Sequence, residues 1–203
     1  MSNIEFWDNR YKSKKYAYGL EPNVFFREWL NKLKPGKILL PAEGEGRNAV
    51  YAAKKGWVVY AFDTSSQAKK KAIELAKLNN VNINYECKEF NDLSFEKDFF
   101  DAIGLIFAHF AGVQRKEFHK ELVKYLKTDG YIILEGFSKN QLDYQKKFNS
   151  GGPSNIEMLF SSEEIENDFI SLQTIYLSTT EIVLNEGLYH NGLASVVRYV
   201  GKK

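Results

Sequence analysis

Short apolar runs alternate with longer amphipathic runs through the middle of the chain. The apolar runs at residues 37–41, 57–62 and 101–107 each have the length of a buried strand. Between the first two, residues 47–55 carry Ala and Val at three- and four-residue spacing, which predicts a helix that ends near Gly56. Buried strands joined by helices are typical of a parallel sheet that is covered on both faces.

The alternation continues beyond these elements. Residues 66–78 predict a second helix, with its alanines and Leu75 inward and its lysines outward. A shorter strand is predicted at 81–87. A third helix is predicted at 115–126, closed by Lys127-Thr128-Asp129-Gly130, and it leads into a strand at 131–135. Five strands with helical crossovers indicate a doubly wound α/β sheet.

The C-terminal part has a different pattern. Two β-rich stretches, at 172–184 and 193–200, are joined by a connection at 185–192 that leaves no room for a helical crossover. We therefore expect them to pair as an antiparallel hairpin, which brings the sheet to seven strands. Gly151-Gly152-Pro153-Ser154 is predicted to be a loop within the fold. The prediction is one domain over 1–203, made of an N-terminal helical segment (1–30), a core (37–136) and a terminal hairpin (172–201).

Composition excludes several classes of protein and site. The 203 residues carry a net charge of +2, which gives no electrostatic case for a nucleic-acid binder. A single cysteine, Cys87, excludes an intrachain disulfide and a cysteine-built zinc site. The N-terminus does not resemble a signal peptide, and no apolar window reaches the roughly 18 to 20 residues of a membrane span. We expect a cytoplasmic protein that acts without a membrane.

Glycines follow the first predicted strand in Ala42-Glu43-Gly44-Glu45-Gly46-Arg47-Asn48. Glycines at a strand-to-helix turn let a ligand approach the backbone, and the following helix start favours anionic or polar groups. Seventeen residues after Gly46, Asp63 ends the next strand, where a carboxylate suits the hydroxyls of an adenosyl ribose. Asp63, Thr64 and Ser65 are also good helix N-caps, so a purely structural role stays open.

A nicotinamide dinucleotide is the alternative ligand. Its Gly-x-Gly-x-x-Gly pattern fails in the register that starts at Ala42, because Arg47 stands at the third position. The register that starts at Gly44 places Ala49 there and is tolerable. A nucleotide-dependent oxidoreductase therefore stays open, whereas a nucleoside triphosphatase is excluded because no Gly-Lys-Ser/Thr follows.

The segment from Lys37 to Val50 resembles motif I of class I S-adenosylmethionine-dependent methyltransferases. It is most similar to the small bacterial branch with the tellurite-resistance and thiopurine-type enzymes. Other matching motifs are Phe6-Trp7-Asp8-x-Arg10-Tyr11, Tyr16-x-Tyr18-Gly19-x-x-Pro22-Asn23, Leu126-Lys127-x-Asp129-Gly130, Gly151-Gly152-Pro153 and Asn185-Glu186-Gly187-Leu188-Tyr189-His190-x-Gly192. The resemblance implies a Rossmann-like, seven-stranded, mostly parallel sheet with a reversed last strand.

The same resemblance implies a function. It predicts methyl transfer from S-adenosyl-L-methionine to a small-molecule acceptor, such as a thiol or a chalcogen oxyanion, by in-line displacement. Two positions depart from the family pattern: Leu40 replaces an acidic residue and Ala42 replaces the first glycine. Glu43 could supply the missing carboxylate for the amino group of the cofactor, and the Ala42 methyl could crowd its methionine moiety. A degenerate homologue that binds without catalysis therefore stays an alternative.

The resemblance carries over to individual positions. The residues that it assigns to the cofactor are Tyr16, Tyr18, Glu43, Gly44, Gly46, Asn48, Asp63, Thr64, Glu89, Phe90 and Phe107. The resemblance implies that Glu89 and Phe90 hold the adenine amino group and ring, and that residues 1–30, with Tyr16 and Tyr18, form a lid over the cofactor. Alternatives stay open at some of these positions, since Phe90 could belong to the core, Asp92 could take the place of Glu89, and the tyrosines could merely pack.

The acceptor side offers fewer candidates. His109 is the predicted catalytic residue, although a histidine in Ile-Phe-Ala-His-Phe could equally be a core residue. An acceptor that must lose a proton needs a base, and His109, Glu135 and His190 are the candidates by position. Arg47 could attract an anionic substrate or could be a solvated surface residue. No metal is expected, and the sequence leaves the oligomeric state open.

Overall fold

Strands and helices alternate along residues 3–203, the part of the chain that the computed structural model describes. The strands are β1 (Lys37–Pro41), β2 (Val58–Asp63), β3 (Asn84–Cys87), β4 (Phe100–Ile106), β5 (Leu126–Phe137), β6 (Gln173–Glu186) and β7 (His190–Lys202). The helices are α1 (Asn3–Tyr11), α2 (Val24–Leu30), α3 (Arg47–Lys54), α4 (Ser66–Leu78), α5 (Gly112–Tyr125), α6 (Gln141–Phe148) and α7 (Ser162–Asp168). Two short 3₁₀ helices, Phe90–Asp92 and Ile156–Met158, lie in the connections.

The strands form one sheet in the order β3-β2-β1-β4-β5-β7-β6. The first five strands are mutually parallel, β7 runs antiparallel to β5, and β6 pairs antiparallel with β7. This confirms the predicted doubly wound, seven-stranded, mostly parallel sheet with an antiparallel C-terminal hairpin. The carboxyl ends of β1, β2, β4 and β5 share one edge of the sheet, and the turn between β6 and β7 reaches the same edge.

Both faces of the central strands β1 and β4 are buried, as their continuous apolar sequences predict. Leu39 of β1 faces the cluster that contains residues of α5 and α7, whereas its neighbours Ile38 and Leu40 face the cluster that contains residues of α2, α3 and α4. The alternation along β1 places α3 and α4, which frame the glycine-containing loop, on the same side. No described helix is long and apolar enough to cross a membrane.

Some predicted boundaries differ from the structure for identifiable reasons. The predicted strand at 81–87 begins only at Asn84, because the Val81 N–H still bonds the Ala76 carbonyl at the end of α4. The strand predicted at 131–135 extends over Leu126–Phe137, since Leu126 already pairs with Phe100 of β4.

One prediction about α4 is wrong. Its lysines do not all point outward, because Lys71 is buried with 9% of its surface exposed. Lys70 is exposed, as predicted. The burial of Lys71 follows from its contacts with the N-terminal segment, which are described below.

Candidate active site

The loop between β1 and α3 contains three residues in the left-handed backbone region. The φ angles are 50° at Ala42, 64° at Gly44 and 88° at Gly46. A Cβ at Gly46 would lie 2.7 Å from the Cβ of Ala72, and one at Gly44 would lie 2.9 Å from the Tyr11 hydroxyl. Both glycines are therefore required for the close approach of α4 and α1 to this loop.

Glu43 caps the first turn of α3 from within the loop. Its Oε1 accepts the Ala49 N–H at 2.7 Å, and its Oε2 accepts a long hydrogen bond of 3.4 Å from the Asn48 Nδ2. Gly46, at the N-cap position, has no side chain for this purpose. Burial raises the pKa of Glu43 to about 7, and the hydrogen bond from Ala49 opposes this shift only in part.

Asp63 lies at the carboxyl end of β2 and holds the loop. Its Oδ2 accepts the Gly44 N–H at 3.0 Å and its Oδ1 accepts the Ser65 N–H at 2.9 Å. Burial raises the pKa of Asp63 to about 6 against these hydrogen bonds. The N-cap of α4 is Ser65, and Thr64 lies between the two without a capping role. Tyr85, which the sequence did not single out, donates its hydroxyl to the Gly44 carbonyl at 2.6 Å.

The pair predicted to hold the adenine divides between surface and core. Glu89 is exposed and is the N-cap residue of the 3₁₀ helix that starts at Phe90. The Phe90 ring is buried and stacks on Phe118 with ring centroids 3.8 Å apart. Phe90 is thus a core residue in this structure, which matches the structural alternative considered for it.

The two tyrosines of the N-terminal segment that were predicted to contact the cofactor, Tyr16 and Tyr18, lie in different places. The Tyr16 hydroxyl donates to the Lys71 carbonyl at 3.3 Å on α4. The Tyr18 ring packs against His190 with centroids 4.4 Å apart, and the Tyr18 hydroxyl accepts a hydrogen bond from Arg10 at 3.2 Å. Tyr18 therefore faces the acceptor side of the site, whereas Tyr16 packs against a cluster formed by α3 and α4.

Aromatic rings surround His190 at the carboxyl edge of the sheet. The centroids of Tyr18 and Phe107 each lie 4.4 Å from that of His190, and the centroid of Phe137 lies 5.0 Å away. Phe107 has a φ of 53°, and its N–H donates to the Glu135 carbonyl at 2.7 Å. These four residues, Tyr18, Phe107, Phe137 and His190, are called the aromatic wall below.

His109 does not have a free ring nitrogen. Its Nδ1 lies 2.7 Å from the Met158 carbonyl and must donate to it, so its Nε2 accepts the Phe137 N–H at 3.2 Å. Its ring also stacks on Phe160. Burial lowers the pKa of His109 to about 4. This geometry disfavours the catalytic role predicted from the sequence, because the lone pair that would take a proton is already used.

His190 has the arrangement that His109 lacks. Its Nδ1 lies 3.5 Å from the Glu186 Oε2, and its Nε2 has no hydrogen-bond partner among the described residues. The Glu186 Oε2 atom also forms an ion pair with the Arg47 Nη2 atom, which lies 2.8 Å away. Burial acts to raise the pKa of Glu186, but His190 and Arg47 outweigh it and lower this pKa to about 2. Burial lowers the pKa of His190, so the ring is neutral at pH 7.

Glu135, the third candidate base, is fully buried and fully engaged. Its Oε1 accepts the Asn23 Nδ2 at 2.6 Å and its Oε2 accepts the Arg198 Nε at 2.6 Å. The Asn23 amide also reaches the Glu186 Oε1 at 3.0 Å. Glu135 is therefore a structural anchor for the acceptor side, because it is fully buried and both of its oxygens bond to other side chains.

The sequence did not single out Asn23 and Glu186 as site residues, and it did not predict the pairing of Arg47. Asn23 and Glu186 both lie in motifs that carry the family resemblance, so their position in those motifs was the available signal. Arg47 is neither a solvated surface residue nor a free cation, because it is buried and paired with Glu186.

Comparison with known protein families identifies a domain in this chain. Residues 38–130, a little under half of the chain, match the family model described as a methyltransferase domain. This match spans β1 to the start of β5 and includes the whole glycine loop. It confirms the predicted methyltransferase class and S-adenosylmethionine as its cofactor. No curated protein matches the sequence.

Solved structures share the fold at low sequence identity. One similar structure belongs to a protein described under the conversion of a disulfide bond into a thioacetal group during echinomycin biosynthesis. Its TM-score is 0.80 at 14% identity, and the alignment covers 100% of this chain and 92% of that one. TehB from Haemophilus influenzae has a TM-score of 0.72 at 15% identity, covering 98% and 66%. A SAM-dependent methyltransferase from Methanosarcina mazei has a TM-score of 0.69 at 20% identity, covering 91% and 99%. At these identities the likeness establishes the fold alone.

Proposed function

We propose that this chain, through its methyltransferase domain at residues 38–130, transfers the methyl group of S-adenosylmethionine to a small-molecule acceptor by in-line displacement. The observation that carries the proposal is the position of Asn23 between the two halves of the site. Its N–H bonds the Asn48 Oδ1 beside the glycine loop at 2.9 Å, and its side chain bonds Glu186 beside His190 at 3.0 Å. A cofactor loop and a candidate base are thereby held in one rigid arrangement.

The donor side fits a cofactor with an ammonium group and an adenosyl ribose. Glu43 is the candidate for the amino group, and Asp63 is the candidate for the ribose hydroxyls, with Thr64 and Asn48 beside them. Gly44 and Gly46 let α1 and α4 pack closely against this loop, which fixes its backbone beside Glu43 and Asp63. Exposed Glu89 at the edge of Phe90 is the candidate for the adenine amino group. S-adenosylmethionine supplies an electrophilic methyl group on a sulfonium, so the protein must mainly align the acceptor and exclude water.

On the acceptor side we assign the base role to His190. The Glu186 carboxylate orients the ring by accepting from Nδ1, which leaves the Nε2 lone pair to take the acceptor proton. As the acceptor atom forms its bond to the methyl carbon, the methyl–sulfur bond breaks, and the acceptor proton moves to Nε2. Tyr18 and Phe107 pack against the His190 ring, and we assign them the exclusion of bulk water from it.

The acceptor that fits best is a small thiol or a similar soft, protic nucleophile. The aromatic wall offers an apolar surface, and both Arg47 and Arg198 already pair with carboxylates. The structural neighbour associated with the conversion of a disulfide bond into a thioacetal group supports a sulfur nucleophile. A chalcogen oxyanion, as in the tellurite-resistance branch that the sequence resembles, is the second choice.

Formation of S-adenosylhomocysteine tests this function. The protein is incubated with S-adenosylmethionine and, separately, small thiols, chalcogen oxyanions and phenols, and the product is quantified by mass spectrometry. We expect at least one thiol to raise S-adenosylhomocysteine formation well above the acceptor-free rate. The absence of any acceptor-dependent product across the three classes would contradict the proposal.

A further inference from the structure

Lys71 on α4 uses all three of its ammonium hydrogens within the protein. The Nζ atom donates to the Ser13 carbonyl at 2.8 Å, to the Lys15 carbonyl at 2.7 Å and to the Glu45 Oε1 at 2.5 Å. An ammonium group has three donors and no acceptor, so its hydrogen-bonding capacity is filled. Lys71 thus joins α4 to the N-terminal segment and to the glycine loop at one point.

Glu45 completes this connection from the loop, where it stands between Gly44 and Gly46. Its second oxygen, Oε2, accepts the Ala17 N–H at 2.6 Å. The side chains of Lys71 and Glu45 are only 11% and 3% exposed. The two charged residues together hold alternate backbone positions 13, 15 and 17.

The surrounding packing supports the same contact. The missing side chain at Gly46 lets α4 approach the loop closely enough for Lys71 to reach Glu45. The Tyr16 ring covers the ammonium, with Nζ 4.7 Å from its centroid. Residues 13–18, called the strap below, therefore wrap around Lys71 and continue directly into Tyr18 of the aromatic wall.

We propose that Lys71 and Glu45 form a latch that holds the strap closed over the cofactor loop, and that this latch sets the rate at which the cofactor is released. The proposal rests on the proposed function for the identity of the cofactor. Removal of one member of a buried ion pair leaves the other charge unpaired, which is far more costly than loss of a surface pair. Neither residue belongs to the reacting groups, so both act as positioning residues.

Limited trypsin digestion tests the latch without any cofactor. Lys12, Lys14 and Lys15 are exposed and offer cleavage sites in and beside the strap. In Lys71→Met the strap is released, and we expect cleavage at these sites at least tenfold faster than in the wild type. The matched control is Lys70→Met, which removes an exposed lysine from the same helix and should leave the rate unchanged. Equal cleavage rates in the two variants would overturn the latch.

A second variant covers the case in which Lys71→Met fails to fold. Glu45→Gln keeps an acceptor for the Ala17 N–H but removes the negative charge, and it should also speed strap cleavage. Stopped-flow displacement then measures cofactor release, which we expect to be at least tenfold faster in Lys71→Met and Glu45→Gln than in Lys70→Met. If the strap is cleaved faster but the cofactor is released at the wild-type rate, the proposal that the latch sets the release rate is overturned. If the wild type binds no S-adenosylmethionine, the proposed function fails, whereas the cleavage rates still decide whether the latch holds the strap.

Discussion

The Nδ1 atom of His190 lies 3.5 Å from the Oε2 atom of Glu186, across the turn between the last two strands. Glu186 is ionised at neutral pH because its pKa is lowered to about 2, so it fixes the tautomer with the proton on Nδ1. The opposite nitrogen, Nε2, then carries the lone pair of a ring that packs against Tyr18 and Phe107. This relationship distinguishes His190 from His109, whose two nitrogens are both used by the backbone.

Replacement of His190 should affect turnover and leave cofactor binding intact. We expect His190→Gln to lower kcat/KM for a protic acceptor by roughly 10²- to 10⁴-fold, the usual contribution of a general base. The dissociation constant for S-adenosylhomocysteine, measured by calorimetry, should change less than threefold. Unchanged turnover with full cofactor binding would remove the base role from this residue.

Replacement of His109 should have the opposite profile. His109→Phe keeps the stacking on Phe160 but strands the Met158 carbonyl and the Phe137 N–H. We expect the free energy of unfolding in urea to fall by about 1–3 kcal/mol. Turnover per folded molecule should stay within about threefold of the wild type. A hundredfold loss of turnover in a stably folded variant would restore His109 as a catalytic residue.

The raised pKa of Glu43 predicts a specific pH dependence. Burial raises it from 4.5 to about 7, so between these values the folded state binds more protons than the unfolded state. The contribution of Glu43 to stability therefore falls as the pH rises through this window and is constant above it. Relative to Glu43→Gln, the wild type should lose about 1–3 kcal/mol between pH 4.5 and 7.5.

The comparison with Glu43→Gln is essential, because other buried groups also change the stability with pH. Burial raises the pKa of Asp63 as well, but it lowers the pKa of His109, and the histidine shift has the opposite effect on stability. Urea unfolding of both proteins at several pH values isolates the part due to Glu43. Parallel stability curves for the wild type and Glu43→Gln would contradict the prediction.

Ala42 occupies a backbone conformation that favours glycine. Its φ of 50° lies in the left-handed region, which costs a non-glycine residue roughly 1–2 kcal/mol. After the entropy cost of glycine, we expect Ala42→Gly to raise the free energy of unfolding by about 0.5–1 kcal/mol. Ala52→Gly within α3 is the control and should lower it by about 1–2 kcal/mol, because glycine disfavours the helix and the buried methyl group of Ala52 is lost.

The same variant tests the degenerate-homologue alternative. If the Ala42 methyl crowds the methionine moiety, Ala42→Gly should tighten S-adenosylmethionine binding at least threefold in calorimetry. Weaker binding in Ala42→Gly would show that the methyl group contributes to the site.

The fold was predictable because its strands are buried on both faces. Leu39 and its neighbours Ile38 and Leu40 point to opposite clusters, so β1 has no polar face and its sequence is continuously apolar. The helix over 66–78 was predicted with the bounds that the structure has. The end of β5 was harder to predict, since its length depends on pairing with a strand far away in sequence, as the pairing of Gly136 with Val197, 61 residues later, illustrates.

The candidate site was predictable only in part. Gly44, Gly46 and Asp63 follow strand ends, and local spacing places them at the same edge. Lys71, Asn23 and Glu186 depend on contacts between segments that lie far apart in the chain. An isolated lysine on an amphipathic helix has the same local pattern whether it is solvated or, as here, wrapped by the strap. His190 and His109 likewise differ only in what surrounds them.

Calorimetric titration with S-adenosylmethionine and S-adenosylhomocysteine, with NADH as a control, tests the central claim most directly. The loop with Glu43 and Asp63 predicts binding of both adenosyl ligands in the micromolar range and no binding of NADH. The Asp63→Ala variant should weaken adenosyl binding at least tenfold. Binding of NADH alone, or of none of the three ligands, would contradict the assignment of this edge of the sheet as a methyl-donor site.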